Sequence, residues 1–297
     1  MNKAQKDAKL SVVIATLGGC HLNKTLDSLN CGSIIPSEII ISIPVERANS
    51  IPLFNHTNVK VNLCEKFGQV SQRAEGFKLA SGDFILQLDD DVIVDYNCLM
   101  NLLSSMKKLN GSVSIAPSIF SSQTGKSIFV KDTSGITRKI YYWLINGKLG
   151  YQPGKFYLSG SADGVVHQKS GINLLQSDWL SGGCVLHKKT NVITENYFPY
   201  PGKAYCEDFI HSFLLTQKGI NLFVDSNAKV FIEIESYTNQ TVISFFRGLI
   251  PDFRARHYFM TLSKRKSLRI YFFYSFIIFN YFITFTIRNF KKLDLDD

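Results

Sequence analysis

The sequence predicts an α/β protein, a mixed layered sheet flanked by helices, with an apolar helix added at its C-terminal end. Strand-like and helical patterns alternate through residues 10–117, which is how helices come to lie on a sheet, with right-handed crossovers between parallel strands. Three consecutive carboxylates, Asp89, Asp90 and Asp91, close one of those strands. Near the C-terminus, residues 270–287 carry no charge and are dense in Phe, Tyr and Ile.

Leu10, Val12, Val13, Ile14 and Ala15 form a buried-strand run, and the Thr16-Leu17-Gly18-Gly19 break leads into a helical pattern through Leu22, Leu26 and Leu29. A second strand follows Pro36 over residues 38–43 and stops at Pro44, and the alternation from Val59 to Leu63 predicts a third. Val70, Ala74, Phe77 and Ala80 mark one face of a helix ended by Ser81-Gly82. Phe84-Ile85-Leu86-Gln87-Leu88 is the strand that carries the carboxylates. Another helix, through Leu99, Leu102, Leu103, Met106 and Leu109, and a strand over residues 113–116 continue the alternation.

Neighbouring like charges repel, so an acidic triplet after an apolar strand needs water or a cation beside it. Oxygen ligands suit magnesium or manganese, which complete their coordination with water and substrate phosphates. A solvated acidic turn is the simpler reading. Position favours the metal-diphosphate site, because ligands of open α/β sheets collect beyond the carboxyl ends of the strands.

From Phe120 to Asp178 no periodicity is sustained, which suggests short strands and a substrate-side loop. Order returns at Trp179, and Gly182-Gly183 fits either close approach of a ligand or backbone, or a β-bulge. Glu207-Asp208 opens an amphipathic helix through Phe209, Phe213 and Leu214, where acidic residues also suit the helix dipole. The apolar run near the C-terminus, about 18 residues and so about 27 Å as a helix, approaches the thickness of a hydrocarbon core. It can span a bilayer, lie in the interface plane, or pack in the core.

The chain has 297 residues, 45% of them hydrophobic, enough for one large domain or two small ones. Its six cysteines form no CxxC pair and its histidines no HExxH, so neither zinc nor a disulfide framework is expected. The polar N-terminus lacks an apolar signal-peptide core, which predicts intracellular chemistry. With 33 Lys and Arg against 24 Asp and Glu, the net charge of +9 favours an anionic partner. Because basic residues gather beside the apolar run, a membrane face is expected rather than a nucleic acid.

The stretch from Gln72 to Asp91 resembles the helix, strand and DxD signature of the family 2 glycosyltransferases, in unbroken order. Residues 11–16 resemble that family's first strand and nucleotide-side loop, Trp179 to Gly183 its acceptor-side segment, and Glu207-Asp208 its ED motif. Residues 254–259 resemble a basic and aromatic segment late in such domains. The resemblance implies the GT-A fold and an inverting transfer of a sugar from a nucleotide-diphosphate donor to a hydroxyl of a glycan or lipid-linked acceptor. The setting it implies is cell-surface polysaccharide or glycolipid synthesis at the cytoplasmic face of the membrane. Ala15, Thr16, Glu46, Gln72, Arg73, Asp89 and Asp90 would then bind the nucleotide sugar, with Asp89 and Asp91 holding manganese or magnesium. Trp179, Gly182 and Gly183 would line the acceptor side, and Asp208, next to Glu207, would be the catalytic base.

Two positions depart from the family pattern. The aspartate that often follows the second strand is absent from Ser42-Ile43-Pro44-Val45-Glu46, which leaves Glu46 as its substitute, and Ile232-Glu233 stands where many relatives carry a metal-binding histidine. The expected organisation is a polar tail (1–9), a catalytic domain (10–266) divided near residue 117 into nucleotide and acceptor halves, an apolar segment (267–290) and a second polar tail (291–297). Two other readings stand beside this one: a membrane-bound sugar-nucleotide binding protein without turnover, and a magnesium phosphotransferase. The second would place its aspartates after the first strand, where this chain has Thr16-Leu17-Gly18.

Overall fold

The computed structural model of the chain describes residues 8–129, 135–167, 173–234, 241–265 and 268–293. The expected boundary at 266–267 and most of both polar tails lie outside them. Strand β1 (Leu10–Ala15) is buried along its whole length. It pairs in parallel with β2 (Glu38–Pro44) on one side and with β4 (Phe84–Asp89) on the other, and β3 (Val59–Cys64) forms the outer edge beyond β2. The β3 alternation is real, but Val61 and Leu63 face solvent because the strand lies at the edge.

Alternate residues of β1 serve the two faces of the sheet, as strand geometry requires. Val12 and Ile14 pack with Leu22, Leu26 and Leu29 of α1 (His21–Asn30) and with Leu99, Leu102 and Met106 of α3 (Cys98–Lys108). Val13 turns to the opposite face, where it meets Phe77 of α2 (Gln69–Leu79) and Ala80 just beyond that helix. Both layers expected around the parallel strands are therefore present.

Beyond β4 the sheet becomes mixed. Strand β8 (Cys184–Lys188) runs antiparallel between β4 and β6 (Val113–Ser121), and β6 pairs in parallel with the long β9 (Asn221–Ile232). The short β5 (Val92–Val94) and β7 (Leu174–Gln176) add antiparallel to β9. Since β5 follows β4 after two residues and joins a different part of the sheet, the acidic triplet is the corner between them. Register pairs Ala15 with Asp89, so the end of β1 adjoins that corner.

Two helices in the second half escaped the sequence reading. In α4 (Ile136–Asn146) Tyr142 and Ile145 are buried while Ile136, Ile140 and Trp143 are exposed, so apolar residues on both faces mask its period. The other is α6 (Val242–Leu262), which supplies Ala255, Phe259 and Met260 to a second core shared with Phe209 and Ile210 of α5 (Glu207–Gln217). The apolar run is one continuous helix, α7 (Arg269–Leu293). Ile270 and Tyr274 join that second core, but Tyr271, Phe272, Phe279, Phe282, Ile283 and Ile287 are exposed. Only 11% of its stretch Arg269–Ile287 is buried, so α7 is not a core helix, and by length and composition it can cross a membrane.

The contact between α2 and the sheet depends on Gly76. A Cβ added there would stand 2.4 Å from Val13 Cγ1 and 2.7 Å from Ser42 Oγ, atoms fixed in the two central strands. Gly76→Ala should therefore destabilise the fold by about 1–3 kcal/mol through overpacking. Urea unfolding measures this, and an unchanged midpoint would show that α2 can move off the sheet freely.

Candidate active site

Helix α2 starts after Gly68 and brings three polar side chains to the carboxyl ends of β1 and β4. Gln72 is buried and donates to the carbonyls of Thr16 and Ser42, both at 2.8 Å, which fixes the loop after β1. Gln69 donates to Asp89 Oδ1 at 3.1 Å. Arg73, expected to face phosphate, is instead 2% exposed at its side chain, and its guanidinium bonds Asp89 Oδ1 at 2.5 Å and Glu207 Oε1. It also donates to the Gly182 carbonyl at 3.3 Å. A buried guanidinium needs such partners, since uncompensated burial of its charge costs several kcal/mol.

The members of the Glu207-Asp208 pair differ in environment. Glu207 is buried, paired with Arg73, and accepts a hydrogen bond from the Tyr197 hydroxyl at 2.8 Å. Its carboxylate is thus engaged on both oxygens, by Arg73 and by Tyr197. Asp208 Oδ1 accepts only the Phe209 amide at 3.0 Å among the described contacts. Burial pushes its pKa up to about 7, and the Glu207 charge adds to that rise, partly offset by the Phe209 amide and by Arg256 and Arg73. A carboxyl poised near neutrality suits proton transfer. Cys206, which precedes the pair, has left-handed backbone (φ 56°) and makes no side-chain cap, so α5 begins without N-cap side-chain bonding.

The glycine pair separates the two carboxylate groups. A Cβ on Gly182 would come within 2.7 Å of Glu207 Oε1 and 3.4 Å of Asp208 Cβ, and one on Gly183 within 3.3 Å of Asp89 Oδ2. Close approach of side chains, not a bulge, accounts for both glycines. Gln87 and the Asp89 amide complete this joint, donating to the Gly182 carbonyl at 2.6 Å and the Gly183 carbonyl at 2.9 Å.

Two cavities open on either side of the acidic corner. One, of about 480 Å³, is lined by Ala15, Thr16, Gln72 and Asp90, together with Phe67, Gly68, Gln69 and Lys203. Asp90 accepts from the Thr16 hydroxyl, and burial raises its pKa. The other, of about 680 Å³, is lined by Asp91, His21, Glu233 and again Lys203. Burial and the charges of Asp89 and Asp90 raise the Asp91 pKa. Four of the expected donor-side residues thus share one cavity. Glu46 does not join them: it lies on the exposed 3-10 turn Val45–Ser50 and lines neither cavity.

Trp179 also departs from expectation. It is buried, packs edge-on against Phe209 with ring centroids 4.8 Å apart, and donates from Nε1 to the Asp163 carbonyl at 3.0 Å. It is a core side chain behind the site rather than an acceptor-facing one. Lys203, Gln69, Tyr197 and His21 were missed by the sequence reading. Only Lys203 carries a local signal, a cation in the Pro201-Gly202-Lys203 turn.

A divalent ion suits part of this arrangement. Asp89 Oδ1 is already taken by Arg73 and Gln69, which leaves Oδ2 and the exposed Asp91 carboxylate as oxygen ligands. Among the described residues no group of three or more His, Cys, Asp or Glu side chains could hold a metal ion. One or two carboxylates with water and phosphate are nevertheless the usual magnesium environment, so the donor set fits a metal that arrives with a diphosphate. The largest of the cavities described, about 740 Å³ between α6 and the foot of α7, shares no residue with either of these two.

A mixed α/β sheet with an acidic corner beyond β1 and β4 and a carboxyl pair opening α5 is a GT-A architecture. Residues 48–163 match the family model Glycosyl transferase family 2. The fold is of GT-A type, and within residues 48–163 the sequence is similar to the family 2 glycosyltransferases. No curated protein sequence matches it. Its fold aligns with a crystal structure of GalNAc-T7 with UDP, GalNAc and Mn2+ at a TM-score of 0.55 and 17% identity, covering 77% of this chain and 44% of that one. S. aureus TarS 1-349 aligns at 0.46 and 15% identity over 76% of this chain and 60% of that one. The TarS 1-349 complex with UDP-GlcNAc gives 0.46 and 14%, over 77% and 59%. The chain therefore spans less than two thirds of each of these proteins.

The Arg73 contacts generate a stability prediction. Arg73→Met leaves Glu207 and Asp89 without their shared cation and should cost about 3–5 kcal/mol, as when one partner of a buried ion pair is removed. Denaturant unfolding of the two proteins measures this. A loss below about 1 kcal/mol, the range of exposed pairs, would show that Arg73 does not hold the two carboxylates together.

Proposed function

We propose that the protein transfers a sugar from a nucleotide-diphosphate donor to an acceptor hydroxyl with inversion at the anomeric carbon. The observation that carries this reading is Asp208, a carboxyl with a pKa near 7 at the start of α5, across Gly182-Gly183 from the acidic corner. Separated sets of carboxylates can divide the work: one handles the leaving diphosphate, the other the incoming hydroxyl.

The cavity lined by Thr16, Gln72 and Asp90 is the proposed donor site. Phe67, exposed in its wall, offers a ring face to the base, and Lys203, which lines both cavities, offers a cation to the diphosphate. Asp91 and the remaining oxygen of Asp89 would hold manganese or magnesium. When bound, such an ion offsets negative charge on the leaving nucleotide; GalNAc-T7, which shares the fold, was crystallised with UDP and Mn2+. Asp208 removes the acceptor proton as the hydroxyl attacks the sugar from the face opposite the diphosphate. Glu207 and Arg73 hold Asp208 and Asp89 in register. In this reading residues 10–266 are the catalytic domain and the acceptor is a glycan or lipid-linked sugar. The exposed apolar face of α7 attaches the enzyme to the cytoplasmic face of a membrane, where cell-surface polysaccharide or glycolipid is assembled.

Asp208→Asn keeps the size of the side chain but cannot accept the proton. Turnover should fall by roughly 10²–10⁴, about 3–5 kcal/mol of barrier, with donor affinity retained. In the wild type the acid limb of kcat/KM should rise through about pH 7, because only ionised Asp208 is competent. The stability effect has the opposite sense: the folded-state pKa lies above the ordinary 3.8, so stability is lost as pH rises from there through about 7. The variant should therefore be more stable than the wild type above neutrality and gain nothing in acid. Normal turnover in Asp208→Asn, measured with a nucleoside diphosphate release assay, would remove Asp208 from the mechanism; retained donor binding with no wild-type turnover on any acceptor would favour a binding protein.

A further inference from the structure

Helix α4, outside the apolar run, carries an exposed stripe of its own. Ile136, Lys139, Ile140 and Trp143 follow at helical spacing, and Ile136 is 75% and Trp143 52% exposed. Leu149 and Lys148, in the turn after α4, extend the exposed surface. This helix packs directly on α7: Tyr141 and Phe276 have ring centroids 4.5 Å apart, and Arg269 donates to the Trp143 and Leu144 carbonyls at 2.6 and 2.7 Å. The Arg269 guanidinium also lies 5.7 Å from the Trp143 ring centroid.

The charged side chains carried by the two helices and their adjoining segments are basic, while the nearby Asp163 and Asp252 are engaged by Tyr142 and by Tyr274 and Arg256. No Asp or Glu occurs between Ile136 and Ala162 or between Phe253 and Leu293, whereas both segments carry several Lys and Arg. Two copies meeting through this face would bring like charges together. An anionic bilayer is complementary to it in charge, in its apolar interior, and in its preference for Trp and basic residues at the headgroup level.

We propose that α4 is a second bilayer-contacting element, its stripe of Ile136, Ile140 and Trp143 lying in the interface of an anionic membrane beside α7, with Lys139 and Lys148 against lipid phosphates. This rests on the membrane attachment of α7 proposed above. A single inserted helix leaves the domain free to rotate about that helix. Contact through α4 fixes which face of the catalytic domain meets the bilayer.

The test uses the full chain with vesicles of phosphatidylcholine, alone or mixed with phosphatidylglycerol, carrying brominated acyl chains as a quencher. Trp179, the only other tryptophan, is 8% exposed, so Trp143→Phe supplies the reference signal. The expected result is flotation with the mixed vesicles, a blue shift of emission and loss of the Trp143 share of it, with neither spectral change in Trp143→Phe. Lys139→Glu with Lys148→Glu should reduce the quenching while flotation through α7 persists. Flotation without Trp143 quenching would overturn the proposal and leave the α7 reading standing; no flotation would overturn both. Equal quenching in phosphatidylcholine alone would overturn the anionic preference. A blue shift that follows protein concentration without lipid would assign the stripe to a second copy of the chain and equally overturn the proposal.

Discussion

Arg73 is buried with its side chain 2% exposed, and a guanidinium so placed persists only where anions and carbonyls replace its water. Glu207, Asp89 and the Gly182 carbonyl are those replacements, and they come from α5, β4 and the turn before β8. Elements from both halves of the chain are therefore pinned to one cation on α2. Glycine at 182 and 183 lets the chain pass between the carboxylates, and Gln72 ties the loop after β1 to the same helix. The acidic corner and the start of α5 thus share a support although Asp89 and Glu207 are far apart in sequence.

That support also divides the carboxylates electrostatically. Glu207 and Asp89 spend oxygens on Arg73, while Asp208 is left with the Phe209 amide and the repulsion of Glu207. One residue of a consecutive acidic pair becomes a counter-ion and the other a group that titrates near neutrality. The same division separates Asp90, bonded to Thr16 in one cavity, from Asp91, exposed in the other. A pair of carboxylates whose environments push their properties apart is the usual physical basis of distinct acid-base roles.

The parallel strands, their helices and the acidic corner were legible because buried strands and amphipathic helices leave strong periodic signals. Arg73 left a signal that is easy to pass over. It lies three residues after Val70 and four before Phe77, on the buried arc of α2, where a charge must find a partner. Asp208 and Glu207 were visible as a pair, but their separate environments come from Tyr197, Arg73 and Gly182, which no local pattern connects to them. Trp179 and Glu46 show the limit in the other direction: a residue beside a recognisable motif can face the core or open solvent, and only tertiary packing decides. Helix α4 was hidden because its exposed face is apolar as well as its buried one.

In the proposed function the acidic corner and Asp208 form one transfer site for a nucleotide-sugar donor. Its most direct test is release of nucleoside diphosphate by the full chain from a panel of nucleotide sugars, with manganese and with a chelator. Release from at least one donor is expected with manganese, and its loss when the chelator removes the metal. No release from any nucleotide sugar with metal and vesicles present would contradict it.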